Sequence, residues 1–332
     1  MAADASNESL WFNYTQNAVE TMRSKLQFNF AAGLAACSSN IVLVVLIALR
    51  PSLRKTYLLQ LTLATGDFGL GLANILSAVF RYRIEAGLYP GISVGACVAM
   101  PFTWLFSFAR MLQGISTLLM SLQRYVAIKF ASWYMTGWNF RFTVKVVAAT
   151  FVISGLYSVS MGLLALGRLD VIIEPLCITA PAWGPQYSLL HYASVALYGL
   201  LSILINVITV WEFLRFKKVT TNDSSFSFKQ ELRRFASVLA VSITTAGTVA
   251  APTTLIVLDN TNPSLLIKQY YTMIAPMMNL WGVNSSINFA IYFIFLKDFR
   301  DEILGLLGRK NKTTVHSMLQ PKSSKRTDLV SN

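Results

Sequence analysis

The chain is short of charge. Asp, Glu, Lys and Arg make up only 13% of its 332 residues, against 54% hydrophobic residues and a mean hydropathy of +0.52. That is about half the charge of an ordinary soluble domain, which excludes a disordered protein and argues against a cytosolic enzyme. Histidine is almost absent, with two residues in the whole chain. The sequence holds no His-Glu-x-x-His, no Ser and His pairing and no paired carboxylates at catalytic spacing, so we expect no enzyme, no catalytic residue, no metal site and no cofactor. Three cysteines cannot build a disulfide framework, although one bridge stays open. Acids number 15 against 28 bases, giving +13 and a pI near 9.8. Such a balance would point to nucleic acid if the bases formed a patch. They sit instead between long apolar runs, and no nucleic-acid partner is expected.

Those runs are the dominant feature. A bilayer core about 30 Å thick needs roughly 20 apolar residues in a helix. Seven stretches qualify: 28–49, 57–79, 98–122, 146–166, 188–211, 235–258 and 271–296. Two charges interrupt them, Asp67 in the second and Arg110 in the third. The connections are too short to hold another folded domain. The expected fold is all-α, a seven-transmembrane helix bundle at 28–296 preceded by a tail at 1–27. The lipid bilayer is then its first partner.

Cytoplasmic loops carry the excess of Lys and Arg. The tail 1–27 and the loops after spans two, four and six hold 6 basic residues, whereas the other connections and the C-terminal segment hold 21. The N-terminus is therefore expected outside and the C-terminus inside, in a multi-pass protein of the plasma membrane. Residues 1–27 lack a basic segment followed by an apolar one, so no cleavable leader is expected. They carry two glycosylation acceptors, Asn7 in Asn-Glu-Ser and Asn13 in Asn-Tyr-Thr.

A charge at the centre of a span costs on the order of 2.5 to 3.5 kcal/mol, so each needs a partner or a task. Around Asp67 and Arg110 the spans carry amides: Asn40, Asn74, Gln113, Asn206, Asn279, Asn284 and Asn288. In span three Arg110, Gln113, Thr117, Ser121 and Arg124 fall on one helical stripe, and in span seven Trp281, Asn284, Asn288 and Tyr292 fall on another. Three helices thus turn polar stripes inward. Amide hydrogen bonds that merely hold the bundle together are the plain alternative.

These features together resemble the rhodopsin-like, class A, G-protein-coupled receptors over nearly the whole chain. SSNIVLVVLIAL resembles the span-one motif centred on Asn40, and LQLTLATGDFGLG the span-two motif centred on Asp67. SLQRYVAI resembles the Asp-Arg-Tyr motif, with Arg124 and Tyr125 in place and Gln123 where the acid belongs. NSSINFAIY resembles Asn-Pro-x-x-Tyr, with Asn288 and Tyr292 matched and Phe289 replacing the proline. Span six has Pro252, yet TVAAP lacks the tryptophan usual before it. Span five has no proline and span four no tryptophan. This erosion resembles the serpentine chemoreceptors of nematodes more than an amine receptor or an opsin.

The resemblance implies a receptor for an extracellular small molecule or peptide that signals to a heterotrimeric G protein. It implies a disulfide between Cys97 and Cys177, with a local bulge at the top of span three because Cys97 stands about two residues too far from Arg124. An activation network of Asn40, Asp67, Asn284, Asn288 and Tyr292 follows, with a coupling face of Arg124, Tyr125, Glu231, Arg233 and Arg234. Glu231 stands as the expected partner of Arg124. Arg110, with Asn74, Trp104, Gln113 and Trp281, is expected to form the floor of a ligand pocket. There its guanidinium would take a carboxylate or phosphate of the ligand. Pairing with Asp67 is the competing assignment of Arg110.

After span seven, Phe299, Ile303, Leu306 and Leu307 share one side of an expected amphipathic surface helix at 297–308, and 309–332 reads as a disordered cytoplasmic tail. A retinal pigment would need a lysine in the membrane for its Schiff base, and span seven has none. The rival function is a channel or transporter of small solutes, which would call for repeated halves or broken helices; no internal repeat is visible.

Overall fold

The computed structural model describes residues 11–12, 16–82, 89–173, 177, 182–219, 225–261 and 270–306. Asn7, Asn13 and the segment 309–332 lie outside the described residues, as do the side chains of Glu231 and Arg234. The fold is all-α. Its long helices are α1 (Gln16–Leu49), α3 (Leu58–Tyr82), α5 (Pro101–Lys129), α7 (Phe140–Ala165), α8 (Pro185–Val219), α9 (Ser225–Thr245), α10 (Ala251–Thr261) and α11 (Tyr270–Phe295). Short helices connect or follow them: α2 (Pro51–Thr56), α4 (Val94–Val98), α6 (Ala131–Gly137) and α12 (Lys297–Leu306). Two antiparallel pairs of two-residue strands close one end, Trp11–Phe12 with Tyr89–Pro90 and Ile92–Ser93 with Ile172–Ile173.

Among the described residues, six helices are long and apolar enough to cross a membrane, namely Arg23–Leu49, Leu58–Tyr82, Pro101–Lys129, Phe140–Arg168, Leu189–Arg215 and Phe235–Leu258. The chain is a multi-pass membrane protein. The expected seventh run falls on α11, whose side chains are described from Trp281 onward.

Helix boundaries follow local chemistry. Asn139 caps α7 by accepting from the Phe142 amide at 2.9 Å. Pro101 opens α5, where its missing N–H costs no helical bond. Cys97 therefore lies on a separate turn, α4, and the expected bulge is a break between two helices. α1 begins at Gln16, twelve residues before the apolar run and within the stretch expected to be a tail, since no Gly or Pro interrupts 16–27.

The burial pattern is that of a protein with lipid outside. On α8, Leu197, Leu200, Leu204, Val207 and Trp211 recur at helical spacing and are all more than half exposed. On α7, Val152, Leu156, Val159 and Leu163 do the same, while its inward face is Thr150, Ser154, Ser158 and Gly162. Apolar stripes of this extent in water would aggregate. In lipid they are solvated, and association rests on close backbone approach and interhelical polar bonds. α1 and α3 show this at Gly33 and Gly71. A Cβ on Gly33 would stand 2.8 Å from the Gly71 carbonyl oxygen, and one on Gly71 2.9 Å from that of Gly33.

Gly71→Leu is expected to destabilise the bundle by about 2 kcal/mol through overpacking. Lipid-facing Leu200→Ala should leave it within about 0.5 kcal/mol of wild type. Thermal unfolding of the purified protein in detergent measures both, and equal losses would contradict the packing described.

Candidate functional site

Asp67 is fully buried at the centre of α3 and is the organising group of the interior. Its Oδ2 accepts from the Asn288 Nδ2 of α11 at 2.6 Å, and its Oδ1 accepts from the Gln113 Nε2 of α5. The same Gln113 nitrogen donates to the Ser285 hydroxyl at 3.0 Å. Asn40 of α1 completes the set by donating to the Ser285 carbonyl at 2.8 Å and to that of Ala36 at 2.9 Å. One carboxylate thereby gathers α3, α5 and α11 directly and α1 through Ser285. Hydrogen bonds to a charged acceptor are worth about 1.5 to 3 kcal/mol each, and a donor left unpaired in this interior costs a similar amount.

Arg110 does not pair with Asp67. No ion pair joins them among the described residues; each Asp67 oxygen accepts from an amide instead. Arg110 lies with its guanidinium carbon 3.4 Å from the ring centroid of Trp281 and is 6% exposed. A desolvated cation over indole gains about 2 kcal/mol, against a burial cost of about 3 kcal/mol at mid-span. The ring covers one face of the guanidinium but offers its N–H donors no acceptor. Below it is a cavity of about 20 Å³, with Gln113, Thr117, Thr245 and Asn284 as its other polar walls.

Two of the expected pocket residues stand elsewhere. Trp104 donates its indole N–H to the Val98 carbonyl at 2.7 Å and packs edge-on against Trp183 at 5.0 Å. It fills the space that Gly162 leaves open, where a Cβ would collide with the ring at 2.0 Å. Trp104 is thus part of the wall that ties α5 to α7. Asn74 faces α1 and α11, beside Gly33 and Gly282. Gln113 and Trp281 do lie with Arg110.

The Cys97–Cys177 disulfide is formed. Cys177 takes a left-handed backbone conformation with φ 48°, and its carbonyl accepts from the Arg81 guanidinium at 3.3 Å. From this end a row of rings runs inward. Trp183 packs on Tyr187 at 5.1 Å and Tyr187 on His191 at 5.1 Å; His191 then meets Tyr192 at 5.7 Å and Tyr192 meets Trp281 at 6.3 Å. His191 Nδ1 also meets the Tyr157 hydroxyl at 3.2 Å. Burial pushes the Tyr187 phenol above its ordinary range, so it stays neutral. The sequence holds the signal for this row in the lone intramembrane histidine among tyrosines, but not its continuity with Trp281.

Between α9 and α10 the chain makes one π-turn, Ala246–Ala250, just before Pro252. The carbonyls are satisfied by threonines: Thr253 donates to Val249 at 2.6 Å, Thr254 to Ala250 at 2.8 Å and Thr248 to Thr244 at 2.6 Å. This is how a helix in lipid tolerates such a break. Val249 of the turn packs with Val195 of α8 and with Trp281.

At the other end of α5, Arg124 is 4% exposed and Tyr125 packs edge-on against Phe130. Gln123 reaches the Tyr134 hydroxyl at 3.4 Å. Arg233 is exposed on α9. Glu212, placed in a loop by the apolar run, is instead buried on the extended α8 and bonds Lys129 at 2.6 Å. Asn206 joins three helices by donating to Ser121 at 2.9 Å and Ser242 at 2.7 Å. α12 is seated by Phe299, fully buried against Phe289, and by a hydrogen bond from the Tyr57 hydroxyl to Asp298 at 3.3 Å. Tyr292 and Asn284 are buried on α11, Asn284 accepting weakly from Thr245 at 3.5 Å.

No family model matches this chain, and no curated protein matches it.

The Asp67–Asn288 bond should show as coupling. In a double-mutant cycle of Asp67→Ala and Asn288→Ala, read from unfolding in detergent, an interaction energy of about 1 to 2 kcal/mol is expected. Simple additivity would mean that the two side chains act independently.

Proposed function

We propose that the protein is a seven-span receptor of the rhodopsin-like, class A, type that responds to an extracellular small molecule or peptide and activates a heterotrimeric G protein. The observation that carries this reading is the Asp67 network: one buried carboxylate, donors from two neighbouring helices, and an asparagine from a further one. α11 supplies the seventh span in this reading. It has 26 residues without a charge, about 39 Å of helix, and packs against α1 and α3. The distribution of basic residues supports an N-terminus outside and a plasma-membrane protein with its coupling face at Arg124, Tyr125, Glu231, Arg233 and Arg234.

The missing tryptophan before Pro252 finds a substitute in this reading. Trp281 of α11 touches Val249 in the π-turn and carries Arg110 on its face. A ligand that moves the ring row or Arg110 would displace Trp281 and bias the π-turn, the irregular element of span six. Arg124, at the foot of the polar stripe on α5, would then meet the G protein as the end of α9 moves away. A chemosensory role fits the divergence of the motifs.

Nucleotide exchange on G proteins in membranes from expressing cells, basal and against a panel of small metabolites and peptides, tests this function. Signal above that of untransfected membranes, lost at least tenfold in Arg124→Ala at equal surface expression, is the expected result. A surface-expressed wild-type protein with no signal would overturn the receptor reading in favour of a channel or transporter.

A further inference from the structure

We infer that the cavity beneath Arg110 is a binding site for one small anion. Arg110 is buried, carries a permanent charge, and has no hydrogen bond or ion pair among the described residues; its guanidinium is stacked on the Trp281 ring. Among the described residues the acids within the spans are Asp67, whose oxygens are engaged by Gln113 and Asn288, and Glu212, which is paired with Lys129. Among the described residues, therefore, nothing supplies the guanidinium with a counter-charge.

The cavity is suited to one. Its volume of about 20 Å³ is room for a single water-sized body. Arg110, Gln113, Thr117, Thr245 and Asn284 supply its polar groups, and among the described residues no carboxylate lines it; the Gln113 amide hydrogens go to Asp67 and Ser285 and the Thr117 hydroxyl to the Gln113 carbonyl, so Arg110 and Asn284 hold the donors open to the cavity. Thr245 directs its hydroxyl to the Asn284 Oδ1, which leaves the amide Nδ2 without a partner among the described residues. Beside the guanidinium the buried indole N–H of Trp281 is likewise unpartnered there. A guanidinium and an amide with donors to spare, in a space too small for a phosphate, select a monoatomic anion such as chloride or a single carboxylate oxygen. Because Trp281 also packs on Val249, occupancy would stiffen the contact between α5, α11 and the π-turn. The inference rests on the cavity and not on G-protein coupling, so each can fail alone.

The test is the unfolding temperature of purified protein in detergent with gluconate, too large for the cavity, replaced by chloride or by formate at constant ionic strength. Stabilisation by roughly 4 °C is expected, and Arg110→Gln should abolish it. A response to chloride identifies a resident halide, and one to formate alone identifies the same site as the seat of a ligand carboxylate. Equal unfolding temperatures in all three anions, or a response that survives in Arg110→Gln, would overturn the proposal. Crystals of the wild-type protein grown in bromide give an independent answer: an anomalous peak beside the Arg110 guanidinium is expected, and its absence would count against the site.

Discussion

A single carboxylate in the middle of an apolar bundle sets the terms for the rest of this molecule. Asp67 is surrounded by helices whose outward faces are solvated by lipid, so those helices gain little from apolar burial against one another. Asp67 must be met by donors, and the chain provides them from Gln113 and Asn288, with Ser285 and Asn40 tying in behind. Register along α1, α3, α5 and α11 is fixed by this requirement, since a shift of one residue on any of them would leave a donor or the carboxylate unpaired. Close glycine contact between α1 and α3 and the Asn206 node between α5, α8 and α9 then complete the assembly.

Arg110 is the complementary case. Its charge lies one turn from Gln113 on the same helix, yet it is held by stacking rather than by a counter-ion. At this level of the interior a carboxyl group with its oxygens engaged lies near a cation that has no acceptor among the described residues, and the asymmetry falls at the junction of α5, α11 and the π-turn. In the proposed receptor this is where a stimulus would be converted into movement of span six. The threonines around Pro252 make the break tolerable in lipid without stiffening it into a regular helix, because each hydroxyl serves a carbonyl of its own turn.

Much of this was legible in the sequence. Apolar run length gave the helices, and helical spacing put Gln113, Asn284 and Asn288 on inward faces. The disulfide followed from the family resemblance of Cys97 and Cys177. What was not legible is pairing at the ångström scale. Asp67 and Arg110 read as natural partners by charge, but amides closer at hand satisfied the carboxylate first. Trp104 and Asn74 share the level of the site but point to other helices, a choice made by Gly162 and by the tight approach at Gly33. Glu212 looked like a loop residue because apolar content falls near Trp211, while the helix itself runs on to Val219. The π-turn has no one-residue signature, and only the run of threonines around Pro252 hints at it.

The proposed receptor stands or falls on an odd number of spans, because α11, which brings Asn288 to Asp67, is its seventh. Antibody staining of epitope tags at the two termini, on intact and then on permeabilised cells, measures this directly. An N-terminal tag stained on intact cells with a C-terminal tag stained only after permeabilisation is the predicted result. Both tags on the same side would mean an even number of crossings and would contradict the seven-span receptor.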